Sequence, residues 1–522
     1  MEGIPKPFSL TPTGQPTVRV FAADLDGVDA RLVEIEASVQ GTQFAAPLIL
    51  GLPDAAVREA YHRVRTAFES LGLAFPRGKV VVNLAPASLR KVGSGFDLGI
   101  ALALASLAGF VSHRRLDHVL AIGELGLDGS LRPVPGIISF AELCRDLGLA
   151  SMICADASAP LAHAVADGLR VIPATSLTEA LAIFVGTLPA RDVTSLPAAV
   201  PATVYPDLGR VRGQESACQA LVLAAAGGHS LLMSGPPGCG KTLLAHCLPG
   251  LLPRLCGRDR IDVARVRGAY AAETNAVAAV LEHGIPPFRA PHHTTSYAGL
   301  VGGGRPIRPG EVTLAHRGVL FLDELPEFAR NSLEALRQPL ENGTVHIGRA
   351  AESVQLPAAF QLVVAMNPCP CGYLGHPTIP CRDTPRQVQR YQGRISGPLL
   401  DRIDIQLDLS PVAAETLIDQ RKDAARSAEV RATITALRSL QLERNGGVLN
   451  ARLSERVLRT NEHLCRTARA MLLAHCQAGK LSARAIARIL RVARTAADLA
   501  EHTKIEEVDL ASALHFRVRP AS

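Results

Sequence analysis

The chain has 522 residues, 48% of them hydrophobic, so it can bury several cores and is neither a disordered nor a fibrous sequence. Fifty-five basic residues against 48 acidic ones leave a net charge of +7, which permits an anionic partner without demanding one. Eleven cysteines are too dilute for a disulfide scaffold, no charged-then-apolar leader precedes Phe8, and the longest apolar segments fall short of the ~20 residues that cross a bilayer; a reducing cytoplasm and no membrane contact are expected.

Residues 1–187 read as a mixed α/β domain. Leu32–Val39 alternates as a strand, Ala55–Leu71 has helical period, Lys79–Leu84 is a second strand, and the small apolar residues of Phe96–Ala108 predict a buried helix. Pro189, Pro197, Pro201 and Pro206, set among Ala, Thr, Ser and Val, mark a linker over 188–208. A second domain follows over 209–410. Its short apolar strands, Leu231–Met233, Gly318–Leu322 and Phe360–Ala365, suit a parallel sheet covered on both faces. The remainder, 411–522, is helical and includes the strongly periodic Leu481–Leu499.

The first of those strands runs into Gly235-Pro236-Pro237-Gly238-Cys239-Gly240-Lys241-Thr242, which fits the phosphate-loop pattern G-x-x-x-x-G-K-[ST] at every fixed position, and a helix follows. Glycines let backbone N–H groups approach phosphate oxygens, and the helix N-terminus adds positive potential. Lys241 would meet the β and γ phosphates of ATP, and Thr242 would hold Mg2+. A glycine-rich turn ending by chance in Lys-Thr is the plain alternative, and it leaves the strand and helix flanks unexplained.

Asp323 and Glu324 end the second strand at its carboxyl edge, where α/β sheets place ligands. Asp323 is expected to hold magnesium through water and Glu324 to polarise the attacking water; an acidic helix cap is the alternative. Asn367, at the tip of the third strand and before Pro368, could orient that water or merely form a turn. Arg402 could stabilise transition-state charge in a neighbouring subunit or only pair with Asp401 or Asp404. Arg484 opens the Leu481–Leu499 helix and could close over the γ-phosphate of its own chain.

From His283 to Gly310 there is no acidic residue, while Arg289, Arg305, Arg308 and three histidines stand among glycines and hydroxyl side chains. This is a flexible cationic loop, able to grip DNA phosphates without reading bases or simply to lie solvated on the surface. Cys369, Cys371 and Cys381 cluster after Asn367, with His376 and Asp383 beside them. Three thiolates and one of those two would complete a tetrahedral zinc site; free cysteines in a turn are the alternative.

In this order, GPPGCGKT, GVLFLDELPEF, AMNPCPCG, SGPLLDRIDI and LSARAIARILRVARTAADL resemble AAA+ ATPases of the magnesium-chelatase-like branch, and within it the ComM/YifB family, over essentially the whole chain. Phe288–Phe328 is the most specific part. The resemblance implies an α/β AAA+ P-loop core with a parallel sheet and a C-terminal helical lid. It implies Asn367 as sensor 1, Arg402 as the arginine finger and Arg484 as sensor 2. It also implies a hexameric ring that drives DNA branch migration during natural transformation. By the same resemblance, 283–310 is an insert in helix 2 and 338–356 is the hairpin before sensor 1, with Gly343 as a turn and His346 and Arg349 nearby; both point to the pore. Many relatives in the family carry a fourth cysteine where this chain has Asp383.

Residues 79–145 resemble the proteolytic domain of Lon, but Gly95 stands at the position of its nucleophilic serine and Ile138 at that of its lysine. A serine without a base in reach, such as Ser94, is a weak nucleophile. A non-proteolytic Lon-like domain serving assembly or DNA contacts is therefore implied. The missing pair speaks against an ATP-dependent protease. The presence of the domain speaks against a magnesium-chelatase motor subunit, which is expected to lack one.

Overall fold

The computed structural model describes residues 17–41, 46–196, 204–270, 274–304, 307–349, 352–413, 416, 425–458, 463–477 and 481–517. Part of the proline linker, with Pro197 and Pro201, lies outside these. The chain divides into two units: 1–202 with 257–283, and 203–256 with 284–522. Among the described residues no helix is long and apolar enough to cross a membrane.

The first unit is built on Asp29–Gln40, whose alternating burial is that of a strand with one face on a core. It pairs antiparallel with Val18–Asp26 and with Lys79–Ala85. Gly27, at φ 68°, permits the tight hairpin between Asp26 and Asp29. The complete seven-stranded order is Leu48–Leu50, Lys79–Ala85, Asp29–Gln40, Val18–Asp26, Val119–Ile122, Ser151–Ala155 and Arg170–Ala174, the last three pairing parallel. The small, apolar helix Asp97–Leu107 is buried from Asp97 to Ala105, as its composition predicts. Asp97, at its first turn, is offset by Arg63, whose guanidinium donates two bonds of 2.8 Å to the carboxylate.

Two helices within the span 209–410 expected to form the second domain, Gly257–Gly268 and Thr274–His283, belong instead to this first unit. Gly136 N donates to Gly268 O at 2.7 Å, Tyr270 Oη donates to Gly27 O at 2.8 Å, and Arg258 and Arg265 pair with Glu142. Val263, Val266, Val277 and Leu281 supply the buried apolar face. Helical period announces such a face but does not say which sheet receives it.

The second unit holds a five-stranded parallel sheet in the order Phe288–Arg289, Val319–Leu322, Gln361–Met366, Leu231–Ser234, Ile405–Asp408. The three middle strands are buried at every residue, which is why each reads as an unbroken apolar run. The long lid helix Ala483–Leu499 starts where Ser482 accepts a bond from Ala485 N at 3.2 Å. It is tied to the amino edge of the sheet through fully buried His229. The ring of His229 lies 2.8 Å from Thr495 Oγ1 and 3.4 Å from Asp404 Oδ2, and Arg488 also pairs with Asp404. Burial alone would raise the Asp404 carboxyl, but His229 and Arg488 hold it well below the usual carboxylate range.

Within the lid, Arg494 is only 1% exposed and bonds Asp498 Oδ1 at 3.0 Å, His502 O at 2.6 Å and Thr503 O at 3.0 Å. Arg444 completes the cluster with bonds of 2.6 and 2.9 Å to the same carboxylate. Asp498→Ala is expected to leave two guanidinium groups facing each other without their counter-charge and to destabilise the lid by about 3–5 kcal/mol. Urea unfolding with an unchanged midpoint would show that the cluster carries no such weight.

Candidate nucleotide-hydrolysis site

Because all five strands of the second unit run parallel, their carboxyl ends share one edge. The phosphate loop leaves Ser234 there and delivers Lys241 as the first residue of helix Lys241–Leu251, with Gly240 at φ 91° as its cap. Lys241 is 9% exposed, and Nζ donates to Gly235 O at 2.7 Å, Pro236 O at 2.9 Å and Asn367 Oδ1 at 3.1 Å. Asn367 follows Met366, the register partner of Ser234, so its place beside the loop is set by the sheet. Gly235 cannot be replaced without collision, since a Cβ there would sit 2.8 Å from Leu409 O.

Asp323 and Glu324 follow Leu322 at the same edge. Thr242 Oγ1 donates to Asp323 Oδ2 at 3.0 Å, which places the two expected magnesium ligands together. The fit is chemical as well as spatial: a hydroxyl and a carboxylate are the hard oxygen donors that magnesium prefers. Glu324 adopts φ 52°, a left-handed backbone uncommon for a residue with a Cβ, and its own N–H caps Asp323 Oδ1 at 2.9 Å. Its carboxylate meets His293 Nδ1 at 3.1 Å. In the sequence His293 reads only as part of a cationic loop; the signal for this contact is its place just past the edge strand Phe288–Arg289.

Arg402 and Arg484 are elsewhere. Arg402 precedes the strand Ile405–Asp408, and its carbonyl accepts from Ser230 Oγ at 3.0 Å, ahead of the phosphate-loop strand. That is the amino edge, separated from the start of the phosphate loop by a four-residue strand, about 13 Å. Arg484, exposed at the start of the lid helix, lines one cavity of about 190 Å³ with Arg402, Asp401, Glu341, Arg488 and Arg491. The expectation that Arg484 closes over its own chain's γ-phosphate is therefore corrected, because the lid helix packs on the edge opposite the phosphate loop. Arg402 pairs with Glu341, not Asp401 or Asp404, and donates to Pro398 O at 2.7 Å, while its Nε is buried with no bond among the described residues.

The expected DNA contacts separate on inspection. Arg289 forms a bidentate pair with Glu311, at 2.5 and 2.8 Å, which already neutralises it and removes it from the free cations. Arg308 and His346 are exposed. Arg305 and the Arg349 side chain lie outside the described residues. The insert is more ordered than a flexible loop: Ser296 caps a short helix, Tyr297–Val301, and Gly302–Gly303 pairs with Arg308–Pro309. A Cβ at Gly302 would come within 2.6 Å of Ile347 on the hairpin Thr344–Arg349/Glu352–Pro357, so insert and hairpin pack together.

Cys369, Cys371, Cys381 and Asp383 bring four ligand atoms within 4.8 Å of one another. His376 is not among them; its Nδ1 accepts from Thr378 N at 3.2 Å and Ile379 N at 3.0 Å. In the first unit, Ile138 is a buried helix residue, Ser94 gives its hydroxyl to Glu124, and Lys91 donates to Pro86 O, so these groups form no serine–lysine dyad.

Known protein families match both units. Residues 207–417 match the family model described as magnesium chelatase, subunit ChlI, and residues 424–517 match its C-terminal model. Residues 33–158 match a model described as subunit ChlI of Mg-chelatase. The chain is 40% identical to competence protein ComM of Haemophilus influenzae over 506 residues, 95% of this chain and 97% of that protein. It is 37% identical to the YifB protein of Escherichia coli K12 over 492 residues, 94% and 95% of the two chains. With the 38 kDa magnesium-chelatase subunit of Cereibacter sphaeroides the identity is 25% over 264 residues, 48% of this chain and 72% of that one. Since a model named for the chelatase subunit matches the N-terminal region, that region alone does not set the chain apart from chelatase motors. The extent of the match does.

Proposed function

Because the chain belongs to the ComM/YifB family of magnesium-chelatase-like AAA+ ATPases, we propose that it couples ATP hydrolysis to movement on DNA, driving branch migration of recombination intermediates in natural transformation. The observation that carries this reading is the end-to-end similarity to a competence protein. Lys241 exchanges its bonds to Gly235 O, Pro236 O and Asn367 for β- and γ-phosphate oxygens. Thr242 and Asp323 hold magnesium, which supplies charge neutralisation at the phosphoryl group. Glu324 accepts the proton of a water oriented by Asn367. Arg402 and Arg484 serve the site of the next subunit, which makes a ring, hexameric by family resemblance, the working form. Arg308 and His346 contact the DNA backbone without reading bases.

Purified protein with ATP is expected to move a synthetic four-way junction, and Lys241→Ala to leave it in place. A native protein that hydrolyses ATP yet moves no junction across salt and magnesium conditions would favour a second reading. In that case the chain is a motor that remodels a protein partner, the reading toward which the partial match to the 38 kDa chelatase subunit points.

A further inference from the structure

The loop that follows Asn367 carries three thiols in mutual contact. Cys369 Sγ lies 3.3 Å from Cys371 Sγ and 3.6 Å from Cys381 Sγ, and the latter two are 3.5 Å apart. A disulfide joins two sulfurs at about 2.05 Å and leaves a third without purpose. Thiolates on a tetrahedral zinc ion, with Zn–S near 2.3 Å, lie about 3.8 Å from one another. The triangle is thus close to the face of such a tetrahedron before any metal draws it into shape.

The fourth vertex is supplied by a carboxylate. Asp383 Oδ2 is 3.8 Å from Cys381 Sγ and accepts from Cys371 N at 2.8 Å, a bond that aims the group as outer-shell contacts aim metal ligands. His376 lies outside this group, with its Nδ1 accepting from the backbone of Thr378 and Ile379.

We propose that Cys369, Cys371, Cys381 and Asp383 bind one zinc ion that fixes the loop after strand Gln361–Met366 against the phosphate loop. Binding replaces the thiol protons, which pass to solvent, by the metal; no oxidant or reductant takes part. The loop has reason to be fixed. Gly372, at φ 84°, lies so close to the phosphate loop that a Cβ would meet Pro237 Cδ at 2.7 Å. Asn367, two residues before the first ligand, contacts Lys241 Nζ at 3.1 Å. The cysteines and Asp383 are positioning residues: they act on hydrolysis through Asn367 and Pro237, and touch no phosphate themselves.

Full-length protein purified without chelator is expected to carry about one zinc per chain by elemental analysis. Cobalt substituted for it should show thiolate charge-transfer bands and the strong visible absorption of a tetrahedral site. Cys381→Ser and Asp383→Ala should each lower zinc content several-fold, Asp383→Cys should restore it, and His376→Ala should leave it unchanged. Zinc removal should lower the ATP turnover rate more than ATP affinity. The idea is overturned by zinc well below one per chain in the native protein, by iron in its place, or by loss of zinc in His376→Ala. Because metal content is read without nucleotide or DNA, failure here leaves the proposed DNA activity untouched, and the reverse also holds.

Discussion

Glu324→Gln should bind ATP as the native chain does while its hydrolysis falls by about 10²- to 10⁴-fold, the usual weight of a positioned general base. The amide keeps the size of the carboxylate and can still meet His293, so the contact at 3.1 Å and the left-handed turn at φ 52° need not change. What the amide cannot do is take a proton from water. Lys241, Thr242 and Asp323 are untouched, so binding rests on the same groups as before. Binding of a fluorescent nucleotide and steady-state phosphate release separate the two effects. Native turnover in the variant would remove Glu324 from the mechanism, and lost binding would make it a structural residue of the loop.

Arg402→Ala and Lys241→Ala should each abolish nearly all hydrolysis when pure, and recover part of it when mixed. Within one chain the two residues occupy opposite edges of the sheet, with Ser230 bonded to Arg402 O at one end of a strand and Gly235 beyond the other. A productive interface needs Lys241 from one subunit and Arg402 from the next. Random assembly at equal amounts would restore about a quarter of such head-to-tail interfaces. Loss of an arginine that neutralises the transferred phosphoryl group is worth about 10³- to 10⁵-fold, so the recovered rate stands far above either parent. Phosphate release after mixing and re-equilibration measures it. No recovery, in mixtures shown to co-assemble, would mean that Arg402 works only through Glu341 and the local fold.

Much of this site is legible in the sequence because its parts obey short-range rules. The Asp323-Glu324 pair and Asn367 come straight after runs of buried strand residues, Lys241 closes the loop that leaves a third such run at Ser234, and parallel pairing then brings all of them to one edge. Arg484 is different. Its helix is plain from periodicity, but which edge of the sheet that helix covers is decided by His229, Thr495 and Asp404, residues 266 and 175 positions apart in their pairings with His229. The loss of Arg289 to Glu311 and the choice of Asp383 over His376 are likewise matters of side-chain competition among near neighbours. Spacing alone leaves both partners of such a choice available.

The excursion formed by residues 257–283 bears on how the protein can be dissected. Leu255 N donates to Gly284 O at 2.6 Å, so the chain leaves and re-enters the ATPase unit through a closed neck. Removing residues 1–202 would strip two helices of the surface their valines and Leu281 need, and any loss of activity would be misread as a duty of the deleted part. A cleaner separation deletes the excursion as well and joins Cys256 to Gly284 by a turn of a few residues, a length within reach of ordinary hairpin connections.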